Sequence, residues 1–180
     1  MTSVPWPGSL TLDGEGVVLR EWEDADLPTM VELFDESEVD AWTPLRSPFD
    51  LDAARDYLDN ARRARTAGNG VQLAITAGGP AALGEVLLFR AGAEGRDGEL
   101  AYAVGAGHRR RGLAGRAVRL LAGYALRDLG MPRVLLRIAD DNVPSVGVAR
   151  SSGFTRTDEE PVIRERKNRR VVLTTWERRT

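Results

Sequence analysis

An eight-residue turn, His108-Arg109-Arg110-Arg111-Gly112-Leu113-Ala114-Gly115, constrains this chain more than any other stretch. A strand-like run, Leu100 to Val104, leads into it, and apolar positions Ala117, Leu120, Leu121 and Tyr124 follow at helical spacing until Gly130-Met131-Pro132 stops the pattern. Val134 to Ile138 then reads as a second short strand, so the stretch predicts a strand–helix–strand unit with its two strands parallel. A loop that opens a helix leaves backbone N–H groups without intrahelical partners at the positive end of the helix dipole, which suits an anion such as phosphate. A solvated basic turn with no ligand is the plainer reading of the arginines taken alone.

The rest of the chain supplies a sheet and helices around this unit. Residues 1–15, with Pro5, Pro7, Gly8 and Gly14, show no periodicity and read as a loose lead-in. Val17 to Trp22 predicts a strand, Asp24 an N-cap, and Leu27, Met30, Val31 and Phe34 a helix. Val39 to Asp50, holding Trp42, Pro44, Pro48 and Phe49, reads as an apolar loop, either a wall on the substrate side or a lid on the core. A second helix runs from Asp52 to Gly68, and Val71–Ile75 and Leu83–Phe89 form a hairpin across Gly78-Gly79-Pro80. After Asn142, Pro144 fits the first position of a short helix closed by Gly153-Phe154, and Arg164–Arg170 followed by Val171–Trp176 predicts a terminal hairpin. Length, the lack of repeats and the lack of a linker predict one α/β domain over residues 1–180.

Composition removes several classes of chemistry. With no cysteine and one histidine, thiolate nucleophiles, disulfides and Cys- or His-based metal sites are excluded, and no metal is expected. Twenty-five Lys+Arg against 27 Asp+Glu give a net charge of -2, without the global pull expected of a nucleic-acid or membrane binder. No apolar run approaches a membrane span and no leader is visible, so a cytoplasmic protein, monomer or homodimer, is the expectation.

Arg109-Arg110-Arg111-Gly112-Leu113-Ala114, with Asn142 about thirty residues later and Gly153-Phe154 closing a short helix, resembles the GNAT N-acetyltransferase superfamily. The Leu19-Arg20-Glu21-Trp22 start, the Trp42-Thr43-Pro44 loop, Ser145 three residues after Asn142 and the arginine-rich tail are similar to its RimJ/RimL branch. The resemblance implies the α/β (α+β) GNAT fold, a mixed central sheet of about six or seven strands flanked by about four helices. It also implies acetyl transfer from acetyl-CoA to a small-molecule or peptide amine.

It carries roles onto particular residues. The backbone around Arg109, Arg110, Arg111, Gly112, Leu113, Ala114 and Gly115 would take the pyrophosphate, small residues leaving room and arginines adding charge. Ala103 and Val104 would hold the pantetheine arm, and Asn142 would bind its amide or cap the short helix. Glu99 is the first candidate for general base, against a surface glutamate at a hairpin end, and Glu85 on the preceding strand is the second. The tyrosine that many members place seven residues after the Asn is here Ala149, and Ser145 would take its place beside the leaving sulfur or else satisfy local backbone. His108 precedes the loop, beside the polar end of the cofactor, which argues against a catalytic role. Trp42 and the Arg164–Arg170 run would flank the acceptor.

Overall fold

A computed structural model describes residues 6–167 and 169–180; residues 1–5 of the lead-in and Asn168 in the basic run lie outside the described residues. The sheet is wider than the sequence suggests, with nine strands among the described residues. β1 (Leu12–Gly14) and β2 (Val17–Glu21) form a hairpin, so the lead-in ends in a strand. Glu15 and Gly16 carry φ values of 57° and 71°, the left-handed pair that a two-residue hairpin turn requires. Three residues are too few to show a period in sequence.

Helix α1 (Leu27–Phe34) begins after a 3₁₀ turn at Asp24–Asp26, and Asp26 accepts from the Glu23 backbone N–H at 2.9 Å. α2 (Ser37–Trp42) corrects the expected loop at its start: Val39 to Trp42 are helical, and irregular chain runs only from Thr43 to Asp50. The prolines that made the whole segment read as a loop follow this helix. α3 (Leu51–Thr66) is capped by Asp50, which accepts from Ala53 N–H at 2.8 Å, and leads into β3 (Gly70–Thr76), β4 (Gly84–Ala91) and β5 (Asp97–Val104). The predicted unit then appears: α4 (Leu113–Arg127) connects β5 to β6 (Arg133–Ile138), and these two strands are the parallel pair.

α5 (Val143–Ser151) is followed by β7 (Thr155–Arg156), β8 (Val162–Arg166) and β9 (Arg169–Arg179). β9 has three partners along its length. Its C-terminal part, Thr174–Arg179, pairs with β6 on one side and, at Trp176–Glu177, with β7 on the other, while Arg169–Leu173 leaves the main sheet and pairs with β8. Strand order is β1-β2-β3-β4-β5-β6-β9-β7, with β8 on the outer part of β9.

The alternation of strand side chains feeds two cores. Leu19, Leu73, Ile75, Val86 and Leu88 pack against the Ala117–Val118–Leu121 stripe of α4, and Trp22, Phe34, Phe49 and Leu58 form a second cluster with α1 and α3. Edge-to-face contacts of Phe34 with Phe49 and Tyr57, with ring centres 5.7 and 6.4 Å apart, order that second cluster.

Candidate active site

β5 pairs with β4 along its whole length but with β6 only where Gly98–Leu100 faces Val134–Leu136. Beyond that point Ala101–Val104 and Arg137–Ile138 share no ladder among the described residues. The sheet opens there, and one edge of β5 keeps backbone N–H and C=O groups free for a ligand. Val104 lies on this edge, although its carbonyl accepts from Arg109 Nε at 3.0 Å, whereas Ala103 turns its carbonyl toward Gly84 on β4.

The turn lies at the end of the opening. Arg110 and Gly112 adopt φ of 60° and 69°, so the chain reverses through two left-handed residues before α4 starts. A methyl group on Gly112 would meet no atom within 4 Å; its glycine is required by backbone conformation, and the space beside it is open. Arg116 N–H makes the first helical bond, to Gly112 O at 3.1 Å, so the N–H groups of Leu113, Ala114 and Gly115 belong to the unsatisfied first turn. Leu113 is buried in the core and contributes only backbone. Arg110 and Arg111 are exposed.

Arg109 departs from the sequence expectation: its side chain turns away from the turn to Glu36 and to Glu38 Oε2, the latter at 2.6 Å. Two carboxylates and a carbonyl occupy the guanidinium, which braces the turn against α2. His108 has a buried Nδ1 without a hydrogen-bond partner among the described residues.

Beside the opening lies a cleft of about 900 Å³. β4 and β5 form its floor, Trp42 to Leu45 one wall, and Arg164, Arg166, Arg169 and Arg170 of the terminal hairpin the other. Trp42, 39% exposed, stands on the wall rather than in the core. Asn142 and Ser145 border the cleft at the start of α5, where Asn142 Oδ1 accepts from Ser145 N–H at 3.3 Å. The capping role is therefore present, and only the amino end of that amide is left for another partner.

Cross-strand register aligns Glu85 with Ala103, Leu87 with Ala101 and Phe89 with Glu99, so both glutamates face the cleft. Their surroundings differ. Glu99 is the third residue of β5, not a hairpin end, and is 6% exposed. Arg164 Nη2 donates to it at 2.8 Å and Arg137 Nε lies 3.7 Å away, so two cations flank it. Glu85 has no such neighbour: burial pushes it to about 7, outweighing the bonds it accepts from Tyr57 Oη at 2.6 Å and Gln72 Nε2 at 2.7 Å. Tyr57 is itself raised well above its usual value by burial and by Glu85, so it remains a donor.

Tyr102 was not singled out from sequence. It alternates to the α4 side of β5, yet borders the cleft through the opening. Its buried hydroxyl is turned toward Ser145 without completing a hydrogen bond, and burial pushes it up to about 12. Ala149, the position where the resemblance places a tyrosine in many members, is fully buried. A sequence signal did exist for Glu85, Tyr57 and Gln72: a carboxylate inside an otherwise apolar strand must find donors.

No group of three or more His, Cys, Asp or Glu that could hold a metal occurs among the described residues, and no described helix is long and apolar enough to cross a membrane.

The site thus combines a separated parallel strand pair, a turn of unsatisfied helix N–H groups and a cleft alongside. The model of the acetyltransferase (GNAT) domain family matches residues 17–155, and the chain belongs to that family. The fold is shared with a GNAT-family acetyltransferase from Bacillus anthracis, at 16% identity and a TM-score of 0.82, covering 94% of this chain and 98% of that one. RimJ from Mycobacterium smegmatis, solved with CoA-disulfide, matches at 16% identity and a TM-score of 0.78 over 96% and 87% of the two chains. RimL, a ribosomal alpha-N-protein acetyltransferase solved with coenzyme A, matches at 14% and 0.78 over 94% and 98%. No curated protein matches the chain.

Proposed function

We propose that this protein transfers an acetyl group from acetyl-CoA to a primary amine in a ternary complex. The observation that carries the reading is the opening of the sheet after Leu100 and Leu136, with the first turn of α4 at one end and Glu85 beside Ala103 at the other. The backbone N–H groups at Gly112 to Gly115 suit a pyrophosphate, and the free edge of Ala101–Val104 suits the amide-bearing pantetheine arm. The complexes of the RimJ and RimL structures with CoA support the same ligand.

Glu85 takes the proton of the attacking amine. A base titrating near 7 is matched to neutral pH, and Tyr57 and Gln72 orient it without adding positive charge. Glu99, proposed from sequence for the same task, serves instead as the anionic anchor of Arg164 and Arg137. At the leaving sulfur, Ser145 and the phenol of Tyr102 supply hydroxyl donors; Tyr102 keeps its proton throughout the working pH range. A second reading, a CoA-binding regulator without turnover, is favoured only by the alanine at position 149.

Incubation with acetyl-CoA and a broad amine panel, with release of free thiol as the readout, separates the two. Thiol release dependent on amine supports transfer; CoA binding with no release across the panel supports the regulator.

A further inference from the structure

The cleft is asymmetric in charge. Arg137, Arg164, Arg166, Arg169 and Arg170 border it, against Glu85, Glu99, Asp140 and Asp141. These groups do not cancel one another. Arg164 and Arg137 share Glu99, and Glu159 also reaches Arg137, at 3.8 Å. Asp140 is taken by Arg156 at 3.1 Å and by Thr174 Oγ1 at 2.7 Å.

Arg166 differs from Arg164 on the same face of the hairpin. It alternates with Arg164 on the inward side of β8, the intervening Glu165 being exposed. Among the described residues no carboxylate lies within ion-pair distance of it, and its recorded bond is from Nη1 to Trp42 O at 3.0 Å. A guanidinium has five N–H donors, so most of this fork is left for a ligand. Burial first, and then the neighbouring Arg164, lower its pKa, while Glu99 opposes them. Arg169 Nη2 and Lys167 Nζ bond the Ala41 and Asp40 carbonyls, at 3.3 and 3.0 Å, so the hairpin is fastened to the C-terminal end of α2 and Arg166 is held over the cleft.

We infer that the acceptor is a primary amine that also carries a carboxylate, the amine directed to Glu85 and the carboxylate to Arg166. This inference rests on the acetyl-transfer reading and names the substrate class for it. A carboxylate on the fork neutralises the surplus charge and gains bidentate bonds, whereas a cationic acceptor meets Arg166 and Arg164 together. Trp42, beside the carbonyl that holds Arg166, offers a face to the apolar part of the same molecule.

The test uses three matched dipeptides with free N-termini, Ala-Asp, Ala-Asn and Ala-Lys, each with an amidated C-terminus so that only the side chain differs. With CoA-saturated protein, calorimetry is expected to give affinity in the order Ala-Asp, Ala-Asn, Ala-Lys, with roughly tenfold or more between the first two. R166M is expected to remove that difference and R166K to restore part of it, with thermal unfolding confirming that both variants fold. Turnover is read in parallel by thiol release. Equal affinity for Ala-Asp and Ala-Asn, or a preference that survives in R166M, overturns the inference even where acetylation proceeds. Selective binding of Ala-Asp without thiol release upholds the anion site and defeats the transferase reading instead.

Discussion

Glu85 and Ala103 stand opposite each other across the β4–β5 ladder, at the point where β5 has already parted from β6. A titratable carboxylate thus sits beside the strand that has parted from its parallel neighbour. On the proposed reading the base and the donor channel are neighbours by register, and register in an antiparallel pair is set by every hydrogen bond of the ladder.

Ionisation of Glu85 gives opposite trends in activity and stability over the same pH range. The amine needs an ionised base, so kcat/KM is expected to rise through about pH 7. In the native state Glu85 binds its proton more tightly than the ordinary carboxylate of the unfolded chain. Its contribution to stability is therefore full below the unfolded value and falls as pH rises to about 7, by roughly 3 kcal/mol in all. E85Q should abolish the pH–rate limb and flatten that part of the pH–stability curve. A rate limb near 7 that persists in E85Q removes Glu85 from the role.

Loss of the carboxylate at position 99 should act on the fold more than on proton transfer. E99Q leaves Arg137, only 14% exposed at its side chain, without its nearest anion, and stability is expected to drop by about 2 kcal/mol, below the full cost of a buried pair because Arg164 reaches solvent. Urea denaturation measures this. The pH–rate limb near 7 should remain, and its disappearance in E99Q would return the base to Glu99.

Tyr102 gives a test in which stability and activity separate. Its hydroxyl is buried without a hydrogen bond, so Y102F is expected to leave unfolding free energy unchanged or raise it by up to about 1 kcal/mol. If the phenol donates to the leaving sulfur, kcat falls by roughly tenfold or more while KM for acetyl-CoA holds. An unchanged kcat confines Tyr102 to packing. S145A in the same assay reports the share carried by the neighbouring hydroxyl.

At the turn, G112A meets no steric obstacle, yet an L-residue is forced to φ of 69°. A cost of about 1 kcal/mol in stability is expected. CoA affinity, followed by calorimetry, should fall further than that cost alone predicts, because relaxing the strain turns first-turn N–H groups off their common direction. Affinity equal to that of the parent protein would show that the turn does not hold the pyrophosphate.

What sequence reveals about this chain follows how far apart the determinants lie. The turn at His108–Gly115 and the helix after it depend on local chemistry, a left-handed glycine and a helical stripe, and both are readable by eye. α2 was hidden because Pro44 and Pro48 dominated a segment whose helical part is only six residues long. The environments of the two glutamates are long-range: Arg164 is 65 positions from Glu99, and Tyr57 is 28 from Glu85. Residue types along a strand identify both as candidates, but only the assembled sheet gives one of them two cations and leaves the other none. Arg109 shows the same limit, since its partners on α2 lie 71 and 73 positions away.

The divided pairing of β9 has a consequence for how such a protein diversifies. Thr174–Arg179 is locked into the sheet against β6, whereas Arg169–Leu173 pairs with β8 and carries the cleft-facing arginines outward. One strand is therefore fixed by packing along its inner half, while its outer half carries side chains toward whatever the cleft meets. On the proposed reading, a graft of another β8–β9 tip would retarget the acceptor while leaving donor recognition intact.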